Sequence, residues 1–337
     1  MSGILDDIAF GVVTLTASFN SQPYVPGQLG ALGIFEEEGV PTTIIEVEEN
    51  NGSLSLVEPS PRGGVGQTSG DDGRKKRTFA IDHFEINDTI KADEVQNVKS
   101  FGTDDELETL QGRIDKKLKK HGFTFDNTLE HNRVGAVKGL VTSKNGVILH
   151  NLYNDFEIAV PAAVEIALNT EVADLGARLK DDVVLSIEDA LDGSYTGLHA
   201  MCGRDYHTKM WNQKQVRETY LNHSGAPALR GGTPDKFEYE GITHERYRTG
   251  RKAREGHNGV DYIAPNEARV FPVGVPDLFV TYFAPADLEE TVNTDGLPRY
   301  AHQYAMANGK GRHLDVQMNA ISLCTQPGVL RKLVIAP

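Results

Sequence analysis

Arg77-Thr78-Phe79-Ala80-Ile81-Asp82-His83-Phe84-Glu85-Ile86, followed a little later by Thr103-Asp104-Asp105-Glu106-Leu107, decides how this chain is read. In the first piece Phe79 and Ile81 share one face of a strand. Phe84 and Ile86 continue that face one residue out of step, which predicts a bulge or bend near Asp82-His83. The second piece opens the longest helical pattern in the chain. Thr103 with Glu106 forms a capping box, and Asp104 and Asp105 fall in the first turn, where the helix dipole favours acids. Leu107, Leu110, Ile114 and Leu118 then recur at helical spacing, with Lys116, Lys117, Lys119 and Lys120 on other faces. Gly122 weakens the middle, while Phe125, Leu129, Val134 and Val137 carry the pattern to a C-cap glycine, Gly139. A helix over 104–138 would be roughly 50 Å long, more than the width of a compact domain of this size.

Upstream, residues 59–76 contain almost nothing apolar and include Arg62, Gly63, Gly64, Gly70 and Gly73. A structureless loop of that length is functional, disordered or ordered by a partner. Before it, Ile45 and Val47 alternate with Glu46 and Glu48, Leu54 and Leu56 alternate with serines, and Asn51-Gly52 supplies a turn, so 42–58 reads as a hairpin. Residues 1–41 read as an arm of short apolar pieces broken by Pro23, Pro26 and several glycines, closed by Glu36-Glu37-Glu38. Tyr24, Leu32 and Phe35 in such a segment need a host surface. Long arm, long loop and long helix together describe a subunit built to touch neighbours.

Downstream, Leu140–Leu149 reads as a hairpin turning at Asn145-Gly146. Helices are expected over about Glu171–Leu191 and near Asp205–Leu221, the latter carrying Met210, Trp211, Val216 and Tyr220. Short strands are expected at Leu198–Met201, Phe237–Arg246, Val260–Ile263, Glu267–Val273, Phe279–Tyr282, Asp315–Asn319, Ile321–Cys324 and Val329–Ile335. The class is mixed α+β, with no internal repeat.

Composition bounds the function. At 337 residues, 39% hydrophobic and 24% charged, the chain is that of a soluble globular protein with one large or two ordinary domains. Its net charge of −14, from 48 acidic against 34 basic residues, disfavours tight nucleic-acid binding. Cys202 and Cys324 lack partner spacing and read as free thiols in a reducing compartment. The N-terminus lacks the basic region of a signal peptide, and no apolar run would span a bilayer.

Chemistry motifs favour no enzyme. The glycine-rich stretch 62–73 lacks the Gly-Lys-Ser/Thr ending of a phosphate-binding loop and precedes a strand. Arg74-Lys75-Lys76-Arg77 is a solvated charge run or one that meets the acids of a neighbouring subunit. Cys202 and His207 have no second pair of ligands to make a zinc site. Neither His-Glu-x-x-His nor Gly-x-Ser-x-Gly occurs. No catalytic, cofactor-binding or metal-binding residue is expected.

Several segments carry a resemblance. They include Pro23-Tyr24-Val25-Pro26-Gly27, Leu32-Gly33-Ile34-Phe35-Glu36-Glu37-Glu38-Gly39-Val40-Pro41, Asn51-Gly52-Ser53-Leu54 and Pro61-Arg62-Gly63. They continue through Ala92-Asp93-Glu94-Val95-Gln96, Gly135-Ala136-Val137-Lys138-Gly139, Ala268-Arg269-Val270-Phe271-Pro272-Val273-Gly274 and Tyr282-Phe283-Ala284-Pro285. In this order the chain resembles the tailed-bacteriophage major capsid proteins of the lambda head-protein (gene E product) family. That resemblance implies a Hong Kong 97-type capsid fold: an N-terminal arm at 1–41, an extended loop at 42–91, and a P domain at 92–164 with a spine helix at about 104–138. It also implies an A domain at 165–285 and a return to the P domain over 286–337. The function implied is an icosahedral shell around the genome of a double-stranded DNA phage, built as hexamers and pentamers, without catalysis. Implied partners are scaffold, portal and a decoration protein, with packaged DNA on the inner face bound without sequence specificity, no cofactor and no membrane. The implied location is the virion, after assembly in the host cytoplasm. Candidate inter-subunit contacts are Glu36, Glu37, Glu38, Arg62, Arg74, Lys75, Lys76 and Arg77, with 59–91 ordered by another subunit. Lys75 or Lys76 could serve a covalent cross-link, but the lambda-like branch does without one. The competing readings are a soluble enzyme with a lid loop at 59–76, or a minor head or decoration protein of the same particle.

Overall fold

The computed structural model of the chain describes residues 11–24, 27–49, 75–96, 110–221 and 234–336. It resolves into two compact units. The first draws its described residues from Met1–Ile45, Phe79–Arg133 and Val280–Ser322, the second from Glu46–Thr78, Val134–Phe279 and Leu323–Pro337.

In the first unit the long strand Gly311–Cys324 is central. It pairs antiparallel with Tyr300–Ala305 on one side and with His83–Lys91 on the other, and is also bonded to Phe279–Phe283. Glu36–Gly39 adds a parallel edge strand against Phe279–Phe283. The long helix Leu110–Lys138 presents Ile114, Leu118, Phe125 and Leu129 at i, i+4, i+11 and i+15, and these pack with Ile90, Leu314, Val316 and Met318. Into the same core the helix Val12–Asn20 inserts Leu15 and Phe19. Gly122 is what lets it come close. A Cβ there would stand 3.2 Å from the Phe19 ring, tighter than ordinary contact.

The second unit holds a six-stranded sheet in the spatial order Val164–Ile166, Arg331–Ile335, Glu267–Val273, Gly197–Cys202, Ile242–Arg246 and Lys236–Tyr239. The pairs 331–335 with 164–166 and 197–202 with 242–246 are parallel, and the remaining ladders antiparallel. Tyr206 and Met210 on the helix Arg204–Trp211 are fully buried, as are Ala200 and Cys202 on the strand Gly197–Cys202.

Most of the expected elements are present, with informative differences. The long helix is described from Leu110, so its expected capping box at Thr103 and Glu106 lies outside the described residues, as does the second strand of the 42–58 hairpin. Ile44–Glu49 pairs instead with Lys75–Ala80. Residues 81–82 break the strand between Lys75–Ala80 and His83–Lys91, at the bend the period slip predicted. Gly139, at φ +74°, ends the long helix, because a left-handed turn there favours glycine. The Leu140–Thr142 and Ile148–Asn151 hairpin forms as expected.

Five expectations need correction. Val12–Asn20, read as part of a loose arm, is helical, and its apolar side chains find their host within the same chain. The 171–191 helix starts at Leu175 and contains a π-helical stretch, Lys180–Leu185; ahead of it the Val172 N–H donates to Gln213 Oε1 at 3.1 Å. The 205–221 helix breaks at Asn212-Gln213, because the buried Gln213 side chain also donates to the carbonyls of Leu168 and Thr170. Val260–Ile263 is not a strand: the Tyr262 N–H donates to Thr249 Oγ1, a side chain and not a ladder partner. Finally, 59–91 is not wholly dependent on a neighbouring subunit, since His83–Lys91 is laddered along its own chain's Gly311–Asn319. Residues 59–74 lie outside the described residues.

Candidate assembly surface

The segment 12–39 is seated on the long helix by charges at the start of an otherwise apolar register. Asp126, Glu130 and Arg133 fall at i, i+4 and i+7, on the face that also carries Leu129. Each has a partner within the first unit. Arg299 donates to Asp126 while both are buried, and its guanidinium lies 5.5 Å from the Phe19 ring centre. Glu130 accepts the N–H groups of Leu29 at 2.8 Å and Gly30 at 3.1 Å. Arg133, 2% exposed, donates to Glu37 Oε1 at 2.5 Å and to the Tyr24 hydroxyl at 3.2 Å, and stacks 5.2 Å from the Phe35 ring centre. Burial raises the Tyr24 hydroxyl pKa, with Arg133 opposing, so the phenol stays protonated as an acceptor.

A second polar cluster ties His83–Lys91 to the helix. Asp88 accepts from Lys117 at 2.9 Å and lies 2.9 Å from His121 Nε2, while Lys117 also donates to the Thr89 carbonyl. Burial works against the Asp88 carboxylate, but the hydrogen bonds from Lys117, the Thr89 N–H and His121 outweigh it and hold the pKa at about 2.

The candidate contact residues separate on this geometry. Glu36, Glu37 and Glu38 lie on the exposed edge strand Glu36–Gly39, with Glu37 turned to Arg133. Lys76 is exposed and pairs with Glu46 at 2.9 Å. Arg77 is turned inward: its side chain is 12% exposed and donates to the carbonyls of Asp155 at 2.5 Å and Phe156 at 2.9 Å. Its guanidinium sits 5.5 Å from the Phe156 ring centre, with Glu157 at 3.5 Å. Lys75 lies on the same strand, and Arg62 and Arg74 fall outside the described residues. Among the described residues, Glu36, Glu37 and Glu38 thus belong to the first unit, and Lys76 and Arg77 to the second. Exposed apolar side chains add to the surface: Phe123 and Val13 in the first unit, Val147 and Ile148 on the hairpin of the second.

Sequence reasoning missed Asp126, Glu130, Arg133 and Arg299 as anchors. The signal was available for three of them, as charged residues on the apolar face of a helix. Cys202 Sγ lies 3.8 Å from His244 Nδ1, with both side chains fully buried. Among the described residues no three His, Cys, Asp or Glu side chains are placed to hold a metal. Cys202 and Cys324 are free and buried, and burial pushes the Cys324 thiol up to about 12 and Cys202 higher still, leaving both unreactive. Among the described residues no helix is long and apolar enough to cross a membrane.

Comparison with known proteins places the chain. Residues 11–335 match the family model described as phage major capsid protein E. The major capsid protein of Pseudomonas phage KPP10 is 28% identical over 346 residues, covering 96% of each chain. That of Salmonella phage Felix O1 (isolate Felix O1-VT1) is 24% identical over 352 residues, covering 95% of each. A phage-related protein of Bordetella bronchiseptica RB50 superposes with a TM-score of 0.50 at 12% identity, over 96% of this chain and 97% of that one, a likeness of fold.

Proposed function

The chain belongs to the phage major capsid protein E family, and we propose that its copies join as hexamers and pentamers into a closed icosahedral shell. It is a structural, shell-forming protein of the Hong Kong 97-type fold and not an enzyme, so a lid-gated active site at 59–76 drops out. Residues 1–41 act as the arm, 42–91 as the extended loop, 92–164 with 286–337 as the P domain, and 165–285 as the A domain. The observation that carries this reading is how the segment 12–39 is held. Glu130 and the buried Arg133 bond it to its own subunit, with Arg299 over the Phe19 ring, and Glu36, Glu38 and Lys76 lie exposed at the surface. Scaffold and portal are the partners in assembly, a decoration protein a further one, and the host cytoplasm the site. The chain's net charge of −14 suits an inner wall that lies beside packaged DNA without gripping it.

The test is assembly itself. Purified protein, alone and co-expressed with its scaffold, is imaged by electron microscopy and sized by sedimentation. Rings or closed shells are expected; a stable monomer at every concentration with scaffold present would overturn the reading. Lys76→Ala should reduce shell yield while moving the subunit's stability by no more than about 0.5 kcal/mol, and wild-type yield would remove Lys76 from the contact set.

A further inference from the structure

In a chain of net charge −14, four arginines of the second unit converge on one cavity of about 190 Å³. Arg246 ends the strand Ile242–Arg246, Arg248 follows two residues on, Arg254 lies on the short helix Arg251–Gly256, and Arg204 opens the helix Arg204–Trp211. Asp261 is the acid among the lining residues.

Carboxylates hold these guanidiniums in place. Asp235 accepts Arg246 Nη2 on one oxygen at 2.6 Å and Arg248 Nη1 on the other at 3.2 Å. Asp261 stands 2.8 Å from Arg254 Nε, and Asp205 3.5 Å from Arg204 Nε. Among the described residues that line this concave place, four guanidiniums stand with one carboxylate, that of Asp261, and a charge-assisted bond there is worth more than on open surface. The backbone beneath is fixed as well. The Arg246 N–H donates to the Asp235 carbonyl at 2.9 Å, and the Tyr247 N–H to the Cys202 carbonyl at 2.8 Å. The cationic groups are thus positioned before any ligand arrives.

We propose that this cavity is a binding site for a multiply charged phosphate oxyanion, held by Arg204, Arg248 and Arg254 with Arg246 as the inner wall. The planar guanidinium fork matches phosphate oxygens two at a time, and several forks around one cavity suit a ligand with several negative oxygens. A singly charged carboxylate would satisfy one fork and leave the others facing each other. The site goes beyond shell formation and does not depend on it.

The experiment is calorimetric titration of the full-length protein with sodium tripolyphosphate at constant ionic strength. Arg204 and Arg248 have side chains 64% and 58% exposed, so Arg204→Ala with Arg248→Ala should fold normally, checked by an unchanged melting temperature. That double variant should bind on the order of tenfold more weakly or worse. Arg248→Lys, keeping the charge and losing the fork, should fall between. Arg178→Ala, an exposed arginine outside the cavity, should bind as wild type. Undiminished binding by the double variant would overturn the site, and citrate binding as tightly as tripolyphosphate would overturn the phosphate class. Short duplex DNA supplies the other arm. If it displaces tripolyphosphate, the phosphate is that of a nucleic-acid backbone; if it does not, the ligand is free polyphosphate. The site stands in both cases.

Discussion

Two regions of this molecule bury polar groups by opposite means. Where residues 12–39 meet the long helix, the buried groups are ions: Arg133, paired with the half-exposed Glu37, and Arg299 with Asp126. Around the strands Gly197–Cys202 and Ile242–Arg246 they are rings and a thiol: His199, His207, His244 and Cys202, layered with aromatic side chains, with His207, His244 and Cys202 held neutral by burial. His244 stacks on Phe237 at 5.0 Å, His207 lies 5.1 Å from the same ring, and His199 stacks on Phe271 at 5.7 Å. Burial drives the His244 pKa down to about 3. Burial, helped by the Arg246 charge, drives His207 to about 4. The difference is one of direction. An ion pair fixes which group meets which, so it can hold a segment in register; a stack of neutral rings fills space and tolerates small shifts, but cannot accept a proton.

Acid should separate the two regions most strongly. An imidazole whose folded pKa is lowered takes its proton first in the unfolded chain. Stability is therefore intact above about pH 6.5 and is lost as pH falls toward 4. At pH 5 the cost is roughly 2 kcal/mol for each of His207 and His244. Trp211, the chain's one tryptophan, lies 5.3 Å from Phe237 and reports on this layer, so urea unfolding followed by fluorescence at a series of pH values measures the effect. Asp88, with its pKa near 2, keeps its charge across the whole interval. His244→Phe should flatten the acid limb by about half, and an unchanged limb would break the comparison.

The ionic seat should answer to mutation. Arg133→Met, which removes the bonds to Glu37 and Tyr24 and the contact with Phe35, should cost about 2 kcal/mol at pH 7.5. A loss under ~1 kcal/mol would mean that packing and not charge seats the segment. Arg77 is a mixed case, a cation on a ring with two carbonyl acceptors. Arg77→Ala should cost roughly 1–2 kcal/mol by the same unfolding assay, which would mark it as a subunit strut before any contact role. Smallest is the exposed pair Lys76 and Glu46, where Lys76→Ala should move stability by no more than about 0.5 kcal/mol.

The parts of the fold legible from sequence were those whose local pattern and final burial agree. Leu110 to Leu129 read as a helix because its apolar spacing is the spacing that packs. Asn145-Gly146 read as a turn because no other conformation suits it. Val12–Asn20 was missed although Val12, Leu15, Thr16 and Phe19 are its buried residues at i, i+3, i+4 and i+7. Its β-branched Val12, Val13, Thr14 and Thr16 are poor helix formers, and burial against the long helix overrides them. The break at Gln213 was invisible because its cause is a side chain bonding a segment some forty positions earlier. For the assembly surface, the exposed glutamates and Lys76 were readable as charge runs. The inward turn of Arg77 was not, since a basic run does not say which member finds carbonyls behind it.

The edge strand Glu36–Gly39 bears on solubility. A subunit made in the large numbers a shell demands is crowded with copies of itself before the shell exists. An open sheet edge in such a crowd is a template on which an identical edge can line up, and the end point is a fibre. Glu36, Glu37 and Glu38 occupy three of this edge's four positions. With Glu37 paired to Arg133, two such edges brought together would still set Glu36 and Glu38 against like charges, a repulsion that falls away when a cationic surface approaches instead. The sequence at this edge thus rejects its own image.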